Sequence, residues 1–214
     1  LGGKFATSII ALSNNILPLA LVLTMIACII LGMGLPTTAN YVVTATVAAP
    51  ALINGFGLEM IAVHMFVFYF GIIADITPPV CLAAYAGSGI AGSNPFKTGV
   101  TAVKLAIAAF IIPYAFVFNP ILVLAGDYNF VSLTIAIISA LFGMMAVSSA
   151  MMGYFARKSF VWERIIFFAA GIMLITPGNL FDSIGLVLVL VLWFIQRRWP
   201  KEDSGQGHGV AQPQ

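Results

Sequence analysis

The chain has 214 residues, of which 61% are hydrophobic and only 7% charged, and it carries a formal net charge of +2. With a mean hydropathy of +1.08 against the roughly 25% charged residues of an average soluble domain, a water-soluble fold is excluded. Its nine Lys and Arg residues are scattered singly or in pairs and form no patch that neutralises a row of phosphates, so nucleic acid is not a partner.

Apolar runs approach the roughly 20 residues a helix needs to cross a bilayer, and the alternating ten-residue strands of an outer-membrane barrel are absent. The expected fold is an all-α polytopic membrane protein, with lipid as its solvent. The chain opens on Leu1-Gly2-Gly3-Lys4, without an initiator Met or a signal-peptide pattern, and reads as a piece of something longer.

Apolar arms at 16–32 and 38–54 flank "GMGLPTTANY", Gly32 to Tyr41. Arms of about 17 residues form either two thin spans or a re-entrant hairpin. Both place Asn15 and Asn54 on one side. The polar tip residues would be wasted in a turn outside the membrane and useful at its middle.

Next comes a run from Leu58 to Gly92, 35 residues long. As one helix it would measure about 52 Å, too long for a core of roughly 30 Å. It is interrupted by "DITPP", Asp75 to Pro79. Pro78 and Pro79 lack N–H groups and clash with upstream carbonyls, and Pro78 drives Thr77 out of helical angles. Freed carbonyls, the Thr77 hydroxyl and the Asp75 carboxylate are hard oxygen ligands suited to a small cation. The half-helix beginning near Val80 aims its N–H groups at the same place, where they favour an anion. Broken backbone of this kind survives in a membrane only when buried in protein or lining a watery cavity.

Four full spans are expected at 101–125, 131–155, 162–177 and 183–199. Lys97, Lys104, Arg157, Lys158, Arg197 and Arg198 then share the cytoplasmic side, with Asp127 and Asp182 opposite and Glu163 and Arg164 interfacial. The polar residues 200–214, His208 among them, are expected to form a disordered cytoplasmic tail. Cys28 and Cys81, in apolar runs, read as small packed hydrophobes. His64 reads as a hydrogen-bonded packing residue, with a proton relay as the alternative.

A hairpin tip followed by a broken helix is how secondary transporters build sites at the midplane. "LGMGLPTTANYVVTATVAAPAL" (31–52), "HMFVFYFGIIADITPPVCLAAYAGSGIAGSNPFKTG" (64–99) and "FNPILVLAG" (118–126) resemble the large permease component of tripartite ATP-independent periplasmic (TRAP) transporters, in the form fused to the small membrane subunit. Cys81 stands where glycine or alanine is expected.

The resemblance implies an elevator-type fold of two inverted repeats, each with a re-entrant hairpin and an unwound helix. Residues 1–95 would be second-repeat transport elements, with the hairpin at about 16–54 and the broken helix at about 58–92, and 96–199 would be C-terminal transmembrane helices. Gly32, Gly34, Pro36, Thr37, Thr38 and Asn40 would belong to the tip, and Asp75, Thr77, Pro78 and Pro79 to the break. Together they would supply half the substrate site, with a sodium site at Gly32, Gly34, Thr38, Asp75 and Thr77.

The implied function is uptake of a small, dicarboxylate-like substrate across a bacterial inner membrane, driven by sodium or protons, without covalent chemistry or a cofactor. The implied partners are a periplasmic solute-binding protein and the N-terminal part of the fused permease, with the first repeat and the small-subunit helices. Two other classes compete. An intramembrane aspartyl hydrolase needs a second acid at the site, which these residues do not supply, and a non-transporting assembly subunit would tolerate apolar residues at 75–79.

Overall fold

Proline, glycine and asparagine punctuate the apolar chain, and the helices lie between them. The computed structural model describes residues 2–126, 129–176 and 178–198; Asp127 and the tail with His208 lie outside these. Among the described residues there are eleven α-helices, and the backbone contact outside them of strand type is an isolated bridge between Tyr154 and Lys158.

Helix α1 (Gly2–Leu12) was not expected. It is too short and too rich in Lys4, Thr7 and Ser8 to stand out as a span, yet it buries Ala6 and Ile9. It packs on α4, where a Cβ on Gly55 would lie 2.5 Å from Ile10 Cδ1.

The two apolar arms are α2 (Leu17–Gly32) and the pair α3 (Thr37–Val47) and α4 (Ala49–Phe56). The second arm divides at Ala48 because Pro50 in the first turn of α4 cannot donate into a continuous helix. Helix α5 (Met60–Ile73) passes into a single 3-10 turn at Ala74–Ile76, leaves helical geometry, and resumes as α6 (Leu82–Ala91). Val63, Phe66, Val67 and Phe70 of α5 are fully buried and centre the main core. The Phe66 ring lies 4.8 Å from Phe70 and 5.3 Å from Tyr114, both edge to face, an arrangement aromatic rings favour.

The expected 101–125 span is shifted. Asn94 Oδ1 accepts the Lys97 N–H at 3.0 Å and Pro95 opens α7 (Pro95–Leu105), so the helix starts earlier. A joint at Ala106 leads into α8 (Ile107–Phe118), which stops short of Pro120. Pro95–Phe118, Phe130–Met152 and Leu180–Arg198 are long and apolar enough to cross a membrane.

Helix α9 (Phe130–Met152) begins at a reciprocal cap in which Asn129 Oδ1 accepts the Ser132 N–H at 2.7 Å and Ser132 Oγ accepts the Asn129 N–H at 3.1 Å. It ends at Gly153, whose φ of 69° is left-handed. Losing such a cap costs about 1 kcal/mol. Asn129→Ala is therefore expected to speed amide exchange in the first turn of α9 by about fivefold, and unchanged exchange there would contradict the cap.

Helices α10 (Val161–Ile175) and α11 (Asn179–Arg198) complete an antiparallel trio with α9. A Cβ on Gly143 would lie 3.0 Å from the Gly171 carbonyl, and one on Gly171 2.8 Å from the Gly143 carbonyl. Small residues thus bring α9 and α10 into backbone contact, as membrane helices do.

Helix α10 is the shortest of the four expected spans, and Glu163 in its first turn points inward. Helix α10 has 15 residues, about 22 Å, short of the 17–25 residues of a full span, so three of the four expected spans reach that length. Its start is fixed by Glu163, whose Oε2 accepts the Phe160 N–H at 2.8 Å. Its end is fixed at Thr176, extended at ψ 126° as the residue before Pro177 must be. Glu163, expected at the membrane interface, is 0% exposed within the protein and paired with Arg157 at 2.7 Å, because a carboxylate capping a helix inside the trio needs a cation beside it.

Candidate substrate and ion site

The tip of the hairpin is set by local backbone demands. Gly34 adopts a φ of 77°, which a residue with a Cβ rarely takes, and the Leu35 N–H returns to the Gly32 carbonyl at 3.3 Å. Pro36, with φ −59° and ψ 146°, then hands the chain to α3.

At the break, Thr77 is extended (φ −101°, ψ 123°) ahead of Pro78, and the Pro78-Pro79 peptide is cis. The freed carbonyls find local donors. Thr77 Oγ1 donates to Ile73 O at 2.7 Å, the Thr77 N–H to Ala74 O at 3.2 Å and the Tyr85 hydroxyl to Pro79 O at 2.8 Å. Gly99 of α7 permits close approach from the side: a Cβ there would lie 2.7 Å from Cys81 Sγ and 3.2 Å from Pro78 Cγ. Cys81 is fully buried in that contact, which explains how a residue larger than alanine fits.

Tip and break face each other across a cavity of about 400 Å³ lined by Gly34, Leu35, Pro36, Thr37, Asp75, Leu82 and Ala83. The fold therefore brings Gly34, Pro36, Thr37 and Asp75 together. Thr38 is exposed and outside the lining, and Thr77, Pro78 and Pro79 shape the break without lining the cavity. The donors on this cavity, a carboxylate and a hydroxyl, are hard oxygens of the kind sodium prefers. No group of three or more His, Cys, Asp or Glu that suits a metal ion occurs among the described residues.

Gly32 and Asn40 lie behind the cavity. Asn40 is 1% exposed, and its Nδ2 donates to Gly71 O, one turn before the break, at 2.6 Å. A Cβ on Gly32 would lie 2.6 Å from Asn40 Nδ2, and one on Gly71 2.7 Å from Asn40 Oδ1. Both arms and the broken helix are thus clasped through one amide, whose Oδ1 has no hydrogen-bond partner. Gly71→Ala overpacks this clasp, and a loss of about 1–3 kcal/mol is expected. Thermal unfolding in detergent reads it, and a wild-type midpoint would contradict the clasp.

Sequence reasoning missed Gly71 and Gly99, the close-approach glycines, and the apolar lining residues Leu82 and Ala83. His64 Nδ1 is hydrogen-bonded to the Tyr41 hydroxyl at 3.0 Å, with the rings edge to face, so it ties α3 to α5. Cys28 and Cys81 are both buried and unpaired with each other.

The polar tip, the proline break and the cavity between them lie within residues 2–128, and these match the model of the tripartite ATP-independent periplasmic transporter, DctM component. The chain belongs to this family. It is thus a TRAP transporter large permease component, a multi-pass membrane protein of a transporter family whose members work with a periplasmic binding protein and further subunits. Residues 133–185 of the permease, from α9 into α11, match a domain of unknown function (DUF3394). No curated protein and no solved structure matches the chain.

Proposed function

We propose that the permease imports a small carboxylate, driven by a sodium or proton gradient, with substrate handed over by a periplasmic solute-binding protein. The observation that carries this reading is the cavity joining Thr37 at the hairpin tip to Asp75 at the break. A carboxylate and a hydroxyl there offer cation ligands, and the N-terminal turn of α6, with Leu82 and Ala83 on the cavity, offers N–H groups to an anion. Cation and carboxylate then bind next to each other, each lowering the cost of the other's charge.

In this reading the arms meeting at Gly32–Pro36 are re-entrant and, with α5 and α6, form one half of an elevator-type transport body. The other half lies in the first repeat of a fused permease. The bases at 97, 104, 157, 158, 197 and 198 mark the cytoplasmic side of the inner membrane, which puts the C-terminus in the cytoplasm.

The test is uptake of labelled carboxylates into vesicles holding the complete permease, with its binding protein outside and an imposed sodium gradient, an imposed pH gradient, or none. Accumulation with one gradient and not without it is expected. Equal accumulation without any gradient would refute ion coupling, and no accumulation of any carboxylate tested would refute the substrate class.

A further inference from the structure

We infer that the permease carries a second binding site, for the primary ammonium headgroup of a phospholipid, at the seam between the family-matched region and the C-terminal helices. A cavity of about 300 Å³ lies there, walled by the residues following α8, the first turns of α9, the end of α10 and the start of α11. Its polar lining comprises Asn119, Asn129, Ser132, Ser139, Thr176 and Asp182. Among the described residues lining it, Asp182 is the one that ionises, and none is a base that would receive an anion. The cavity therefore selects a cationic group, or a zwitterion that leads with its cation.

The acid is held in place. Ser139, 8% exposed on α9, hydrogen-bonds Asp182 Oδ1 and also reaches the Leu174 carbonyl of α10 at 3.0 Å. One hydroxyl thus ties α9 to the end of α10 and the start of α11 around the carboxylate, and the neutral amides and hydroxyls lining the cavity can bond a phosphate ester without adding charge.

Depth identifies the ligand as a lipid. Sixteen residues of helix separate Asp182 from Arg198, about 24 Å, inside a hydrocarbon core of roughly 30 Å. With Arg197 and Arg198 at one interface, Asp182 lies about 6 Å inside the other, about one helical turn below headgroup depth. The helix turns around the mouth expose large apolar side chains: Phe130 is 83% exposed, Leu180 78% and Val131 64%, with Ile135 and Ile184 near half. Acyl chains would cover these while the headgroup reaches Asp182. A soluble amine would leave them bare.

The experiment is native mass spectrometry of the purified permease released from nanodiscs of equal parts phosphatidylethanolamine and phosphatidylglycerol with identical acyl chains. Wild type is expected to retain phosphatidylethanolamine in preference, and Asp182→Asn to lose that preference by about tenfold, as when a hydrogen bond to a charged group is removed. Ala136→Leu, which narrows the cavity without touching the Asp182 to Ser139 bond, is expected to reduce retention of phosphatidylethanolamine while preserving the fold. Lys97→Gln at the far end should leave it unchanged. Wild-type retention in a folded, monodisperse Asp182→Asn variant would overturn the proposal, as would a wild-type preference for phosphatidylglycerol. Should Asp182→Asn fail to fold, wild-type retention by Ala136→Leu overturns it alone.

Discussion

Replacing Glu163 with alanine is expected to lower stability by about 3–5 kcal/mol, the cost of stranding one partner of a buried ion pair. Glu163 accepts from Arg157 Nη2 at 2.7 Å and Nη1 at 3.2 Å, from the Phe160 N–H at 2.8 Å and from Gln196 Nε2 at 3.2 Å. The Arg157 guanidinium also lies 5.0 Å from the Phe160 ring centroid and cannot swing into water without abandoning that face. Alanine therefore leaves a buried guanidinium, an uncapped first turn of α10 and a loosened Gln196, which otherwise holds the Ala156 N–H at 3.1 Å. Glu163→Gln keeps the shape and part of the bonding and should cost less. Combining Arg157→Met with Glu163→Leu should recover most of the loss, since well-packed apolar pairs often match buried ion pairs. Thermal unfolding in detergent distinguishes these cases. A Glu163→Ala variant within about 0.5 kcal/mol of wild type, the range of an ordinary surface substitution, would show that the pair is exposed to solvent in the membrane-bound protein.

This network also shows where the sequence stops informing. Glu163 and Arg164 are adjacent, and their position near a helix start suggests an interface. Only the rotation of α10 on α9 and α11 decides that Glu163 turns inward to Arg157 and Gln196 while Arg164 reaches back to the Ala150 carbonyl at 2.7 Å. The break at Asp75–Pro79 was legible for the opposite reason. Proline constrains its own backbone and that of its neighbour, so the interruption of α5 needs no knowledge of packing. The same holds for the tip, where Gly34 and Pro36 impose their angles locally. Asn40 lies between the two cases. Its place in a polar tip suggested a ligand, yet its amide turns away from the cavity to Gly71 O, a pairing between residues 31 apart that no local pattern encodes. The lining by Leu82 and Ala83 was hidden because apolar residues opening a membrane helix carry no signal of facing a cavity.

The largest functional loss is expected at Asp75. Its side chain is half-buried and lines the cavity beneath the tip, so Asp75→Asn keeps its volume and removes only its charge. Stability should then stay within about 0.5 kcal/mol of wild type, as for substitutions away from a packed core. Gradient-driven uptake should fall about ten- to a hundredfold, the worth of one charge-assisted ligand to a cation. Thr77→Ala separates this loss from simple damage to the break. Thr77 Oγ1 donates to Ile73 O rather than into the cavity, so its removal should cost about 0.5–1.5 kcal/mol of stability and leave the dependence of uptake on ion concentration unchanged. Asp75→Asn should instead raise the ion concentration needed for half-maximal uptake at equal protein level. Wild-type uptake in Asp75→Asn would mean that the carboxylate is not a coupling ligand, and that the prolines beside it serve only to bend α5 into α6. An altered ion dependence in Thr77→Ala alone would instead move the cation from the cavity to the carbonyls that the break sets free.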